Sequence, residues 1–192
     1  MKKLFNVVFL FAILLAISSC NSRHKIDEDM IAFHGSHIDL PIDSMINVSS
    51  MCHKNSYRSV KYIYIMYVDS TSCSECAISH LADWSQLDIM DTFKKGLIKY
   101  LFIVSPKHSQ REHLLNLIKK DTLFNEFIYV DTTGIFERKN PELPQNKLLH
   151  TFLVDSKRNV ELIGNPIENM EIKKLLIKLL EKNHKTTKRK VE

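Results

Sequence analysis

The sequence predicts an α/β protein in which a mixed sheet is covered by helices, and three observations predict it. Apolar runs rich in Val, Ile and Tyr alternate with segments whose apolar residues recur every three or four positions. Two strand-like runs near the C-terminus are separated by only Ser156-Lys157-Arg158, close enough for a hairpin. A long amphipathic segment then closes the chain, so parallel and antiparallel neighbours are both required.

Each element can be justified in order. Residues 21–31, NSRHKIDEDMI, are polar and read as a tether. HIDLP, ending at Pro41, alternates like a short strand, and the stretch from Ile42 to Ser56 is ambiguous. SVKYIYIMYVD, from Ser59, carries no Gly or Pro and predicts a buried strand. From Ser74 to about Phe93, Ala77, Ile78, Leu81, Trp84, Leu87 and Met90 share one helix face. Ser72 is placed to cap that helix, with Glu75 three residues on as in a capping box, and Gly96 ends it. LIKYLFIVS predicts a second buried strand, SQREHLLNLIKKD a helix with Leu114, Leu115 and Ile118 on one side, and EFIYVD a third strand. A short helical piece around Ile135 to Lys139 leads to a loop marked by Pro141 and Pro144. KLLHTFLVD and NVELIG form the hairpin, and ENMEIKKLLIKLLEK the last helix, apolar at Met170, Ile172, Leu175, Leu176, Leu179 and Leu180.

The first twenty residues stand apart from this pattern. Lys2 and Lys3 precede an apolar run of about 14 residues, too short for a permanent span of roughly 20, so the segment reads as an export signal. Ile17-Ser18-Ser19-Cys20 resembles the lipobox of bacterial lipoproteins, which implies residues 1–19 as signal peptide and lipid on Cys20. The 172 residues after Cys20 suit one domain, here 32–182, between a tether at 20–31 and a basic tail at 183–192. The net charge of +5 includes Lys2, Lys3 and the cluster Lys182, Lys185, Lys188, Arg189 and Lys190, so the folded body is close to neutral. That tail reads as a solvated terminus, with no nucleic-acid partner expected. With only four glycines and no H-E-x-x-H, G-x-S-x-G or paired-carboxylate pattern, nucleotide loops and the common hydrolase sites are not indicated, and no cofactor is expected.

Removing Cys20 leaves Cys52, Cys73 and Cys76 in a compartment that tolerates disulfides. Cys73-Ser74-Glu75-Cys76 is the close pair, set between a strand and a helix, where a C-x-x-C points to thiol redox chemistry; Cys52 is the extra thiol. A sulfur at a helix start meets unpaired backbone N–H groups, which lowers its pKa, while Glu75 beside it acts in the opposite sense.

The order of elements, Cys73-x-x-Cys76 after the first core strand, a helix-strand unit at about 110–131 and the run HTFLVDSKRNVELIG together resemble the thioredoxin superfamily, and within it the exported TlpA/ResA-type oxidoreductases. The resemblance spans Ser59 to Lys182. It implies a three-layer sandwich with helices on both faces of a mixed sheet and a TlpA-type insertion. It also implies Cys73 as nucleophile, Cys76 as resolving residue one turn deeper, a Cys73–Cys76 disulfide, and partners that are thiols and disulfides of envelope proteins. The implied location is the bacterial cell envelope, lipid-anchored and facing the periplasm. Two departures stand out: the family's cis-proline position holds Leu149 and His150, and the Trp before its motif is Ser72. The family's buried acid would fall at Tyr67, with Asp69 nearby.

Loss of the proline opens a second reading, a thioredoxin-like copper or zinc chaperone binding through Cys73, Cys76 and His150, since two thiolates and an imidazole suit Cu(I) or Zn(II). His80 shares the helix stripe of the dithiol but reads as a surface or packing residue. A third reading is a redox-inactive binding module with a static disulfide.

Overall fold

The structure, a computed structural model, describes residues 24–48, 60–84, 97–120 and 127–188. The signal segment, Cys20, Cys52, and the expected helix residues Leu87, Met90 and Gly96 lie outside them. In chain order the described elements are helix α1 (24–33), β1 (Ile46–Asn47), β2 (Tyr62–Val68), α2 (Ser74–Ser79), β3 (Ile98–Val104), α3 (Arg111–Lys120), β4 (Phe127–Val130), α4 (Ile135–Lys139), β5 (Thr151–Asp155), β6 (Val160–Ile163) and α5 (Met170–Lys188).

The strands form one six-stranded sheet in the order β1-β4-β3-β2-β5-β6. β2 pairs in parallel with β3 over its whole length, Tyr62 opposite Ile98 and Val68 opposite Val104, and β3 pairs in parallel with β4. β5 returns antiparallel on the other side of β2, placing Thr151 opposite Met66, and β1 and β6 close the edges antiparallel. The short loop between β5 and β6 forces their antiparallel pairing, whereas helices supply the longer crossovers that the parallel neighbours β2–β3 and β3–β4 need. In the β5–β6 hairpin, Arg158 takes a positive φ of 73° and the Asp155 carboxylate accepts the N–H groups of Lys157 and Asn159. That is the three-residue loop with a left-handed last position.

Side chains along the buried strands alternate between two cores. Ile63, Ile65, Tyr67, Leu101, Ile103 and Phe152 face α1 and α4, where Phe33 and Phe136 fill the layer. Tyr64, Tyr100, Phe102, Val130 and Leu153 face the other helices, meeting Ile78 and Leu81 near the dithiol, Leu114 and Ile118 of α3, and Leu176 and Leu180 of α5. Burying each such side chain contributes roughly 1.5–3 kcal/mol. The result is the expected mixed sheet between helical layers. Among the described residues no helix is long and apolar enough to cross a membrane.

Four expectations need correction. The stretch read as a tether is helical from residue 24, and Ile26 and Met30 pack with Phe33 against the first core. The long helix expected from Ser74 is broken: α2 ends at Ser79 and a 3-10 turn, Leu81–Trp84, follows. Trp84 still faces the core as the spacing predicts, its ring 5.6 Å from Tyr64, 5.7 Å from Tyr100 and 5.4 Å from Phe102. HIDLP contributes an isolated bridge, His37 to Asn159, not a strand. At the C-terminus α5 continues through Lys188, into the stretch assigned to the tail.

Candidate active site

The dithiol stands at the C-terminal end of β2, where the chain leaves the sheet. Asp69 organises the turn: its Oδ1 accepts the N–H of Thr71 at 2.8 Å and the hydroxyls of Thr71 and Ser72 at 2.9 Å each. Lys147 Nζ lies 3.3 Å from the same oxygen and donates to the Thr71 hydroxyl. Burial pushes the Asp69 carboxyl up, but these donors more than offset it and hold it below the usual aspartate value. Ser72 is therefore occupied by Asp69 and does not cap α2. The cap is Cys73, whose Sγ accepts the N–H of Cys76 at 3.2 Å. A sulfur in this position is favoured as a thiolate, because the backbone donor stabilises the charged form.

Cys73 and Cys76 are joined as a disulfide with Cα atoms 5.3 Å apart. Both cysteines are exposed; Cys76 is not sheltered one turn deeper as the resemblance implied. The phase of α2 explains the difference. Ser74 and Ile78, four residues apart, turn into the protein, so Cys73 and Cys76 lie together on the outward side. Glu75 is paired with His113 of α3, 3.3 Å away, a partner invisible in the sequence because it arrives by tertiary packing. His80 is exposed and sits 3.2 Å from Asp83, a local surface pair.

Facing the dithiol is the turn before β5. Asn146 Oδ1 accepts the N–H of Leu148 and starts a 3-10 turn over Lys147–Leu149. His150 is buried, its Nε2 2.7 Å from the Pro144 carbonyl and its ring 5.4 Å from that of Tyr67. A carbonyl only accepts, so Nε2 carries the proton and donates. The His150 carbonyl in turn accepts the Tyr67 N–H at 2.9 Å. His150 is thus the residue that ties this wall to β2. Among the described residues no three His, Cys, Asp or Glu side chains come together as a metal-binding set.

Tyr67 packs 4.8 Å from Phe136 and 5.4 Å from His150, and burial together with the neighbouring Glu137 pushes its phenol far above the ordinary range. It stays neutral. Between the two walls lies a groove of about 250 Å³, floored by Met66, Tyr67 and Val68 and flanked by Cys73 on one side and Lys147, Leu148 and Thr151 on the other. Asn165 and Glu168 also line it, and the carbonyl of Gly164, just before them, accepts the Tyr64 hydroxyl at 2.6 Å. At φ 122° a Cβ on Gly164 would stand 3.0 Å from Ile172, so both conformation and space favour glycine there. The sequence points to Cys73, Cys76 and His150, with Asp69 nearby; Lys147, His113 and Leu148 complete the surroundings.

No protein-family model matches the chain, and no curated protein sequence matches it. Solved structures resemble it in arrangement. An exposed lipoprotein thioredoxin of Streptococcus pneumoniae is 18% identical with a TM-score of 0.43, over 62% of this chain and 84% of that one. A protein of Chlorobium tepidum described as a thiol:disulfide interchange protein DsbE is 15% identical, TM-score 0.49, over 77% and 97%. The thioredoxin domain of a Bacteroides vulgatus thiol-disulfide oxidoreductase is 10% identical, TM-score 0.47, over 77% and 97%. Substrates are not transferable at such identities. The chain's own sheet order, with a C-x-x-C disulfide where the first long core strand meets its helix, is the thioredoxin-like arrangement.

Proposed function

We propose that this chain is a lipid-anchored thiol-disulfide oxidoreductase of the TlpA/ResA type, exchanging disulfides of cell-envelope proteins through Cys73 and Cys76. The observation that carries the reading is Cys73 itself: exposed, bonded to the Cys76 N–H, and set on the edge of an open groove. In the reducing direction the Cys73 thiolate attacks a substrate sulfur, forming a mixed disulfide and releasing one substrate thiolate. Cys76, deprotonated, then attacks the Cys73 sulfur, closing the intramolecular disulfide and releasing the second thiolate. Two electrons pass from the protein dithiol to the substrate, and the protons lost by Cys73 and Cys76 end on the released thiols or in solvent. The reverse sequence oxidises a substrate dithiol.

Exposure of both sulfurs makes Cys76 accessible as well, so resolution depends on its proximity to Cys73 and not on burial. The His113 imidazole beside Glu75 offsets that carboxylate when protonated, easing its opposition to thiolate formation. Lipid on Cys20 would hold the domain in the envelope without a membrane-spanning helix. Reduction of insulin disulfides by the chain, compared with Cys73→Ser, tests the proposal. The wild type should catalyse turnover and the variant should not; equal rates would refute it.

A further inference from the structure

The N-terminal helix changes what an anchor would do. Had residues 20–31 been a flexible tether, twelve residues could reach about 40 Å, as far as the domain is wide, and the dithiol could face any direction. The chain is instead helical from residue 24, with Ile26 and Met30 packed into the core. Whatever path residues 21–23 take, the four steps from Cys20 to His24 reach at most about 14 Å. A body of about 150 residues is roughly 40 Å across, so such a leash cannot let it turn over.

The start of α1 also lies at the dithiol end. Lys25, Ile26 and Asp29 share a cavity of about 260 Å³ with Gln145 and Asn146. Asn146 caps the turn whose next residues, Lys147 and Leu148, line the groove beside Cys73. Leu148, 71% exposed, projects from this same turn. We infer that the anchor holds the dithiol groove toward the membrane surface, so that its partners are proteins of the same membrane whose disulfides lie close to the bilayer. The inference rests on the exchange activity and on the Cys20 anchor proposed above.

The test uses the full lipidated chain in phosphatidylethanolamine–phosphatidylglycerol vesicles and a self-quenched cystine peptide in three forms: free, linked directly to a lipid headgroup, or raised about 60 Å on a helical spacer. The native chain should reduce the directly linked peptide about tenfold faster than the raised one. Inserting thirty Gly and Ser residues between Arg23 and His24 should abolish that preference while leaving reduction of the free peptide unchanged. Equal rates on the two linked peptides, with the free peptide reduced normally, overturn the inference alone. No reduction of the free peptide overturns the exchange reading with it, and failure to partition into vesicles overturns the anchor.

Discussion

The two walls of the groove are built by different means. The dithiol wall, Asp69 to Cys76, is held by contacts within eight residues of chain: the Asp69 turn and the sulfur cap. The facing wall, Pro144 to Thr151, has a local cap at Asn146 but is tied to the sheet by His150, whose buried imidazole is bonded to Pro144 and packs near Tyr67 and whose carbonyl accepts the Tyr67 N–H. Where the thioredoxin-like resemblance places a proline, this chain uses a packed, hydrogen-bonded histidine. Lys147 spans the gap between the walls, reaching Asp69 and Thr71. The comparison teaches that the dithiol's local geometry does not depend on the missing proline, whereas the shape of the opposite wall depends on what replaced it.

Substitutions that attack one wall at a time sharpen this contrast. The largest effect is expected at His150: His150→Ala leaves a cavity beside Tyr67 and deprives the Pro144 carbonyl of its donor, for a loss of about 2–4 kcal/mol by denaturant unfolding. Exchange activity per folded molecule should fall with it, since the groove loses its wall. A loss under about 0.5 kcal/mol would show that His150 does not tie the wall to β2.

Asp69→Asn comes next, at about 1–2 kcal/mol near neutral pH, because the charged acceptor of three local donors is lost. The sign with pH follows from its lowered pKa in the folded state. Such a carboxylate stabilises the fold above its unfolded value of about 3.8, and the contribution disappears as pH falls below that and through the depressed folded value. The wild type should therefore lose more stability than Asp69→Asn between pH 5 and pH 2, read from urea midpoints. Equal losses would remove the turn from the account.

Lys147→Met should cost least, under about 1 kcal/mol, since its amine is half exposed. It should alter substrate KM more than stability. A cost as large as that of His150→Ala would mean that the link across the walls, not the histidine, holds the groove.

Much of this fold was legible because the long strands announce themselves: the run from Tyr62 to Val68 carries no Gly or Pro and is almost wholly buried. The helix at 24–33 was not. Ile26, Met30 and Phe33 do follow helical spacing, but the charges around them dominate, and the core they meet is built by strands far along the chain. The cap moved from Ser72 to Cys73 because the Asp69 carboxylate takes the Ser72 hydroxyl, a competition that a capping motif does not display. The two cysteines were legible as a site, but their exposure was not, because the inward face of a six-residue helix is chosen by Ser74 and Ile78. In the sequence Glu75 is a carboxylate that opposes thiolate formation, and only packing of α3 brings His113 to it.

The central claim, that Cys73 and Cys76 form a cycling pair and not a fixed crosslink, is tested most directly by titrating the purified protein in thiol-disulfide buffers and trapping free thiols at each potential. The account predicts a midpoint between about −270 and −120 mV, with Cys73→Ser showing no two-electron transition; a midpoint below about −300 mV would identify a structural disulfide and contradict it.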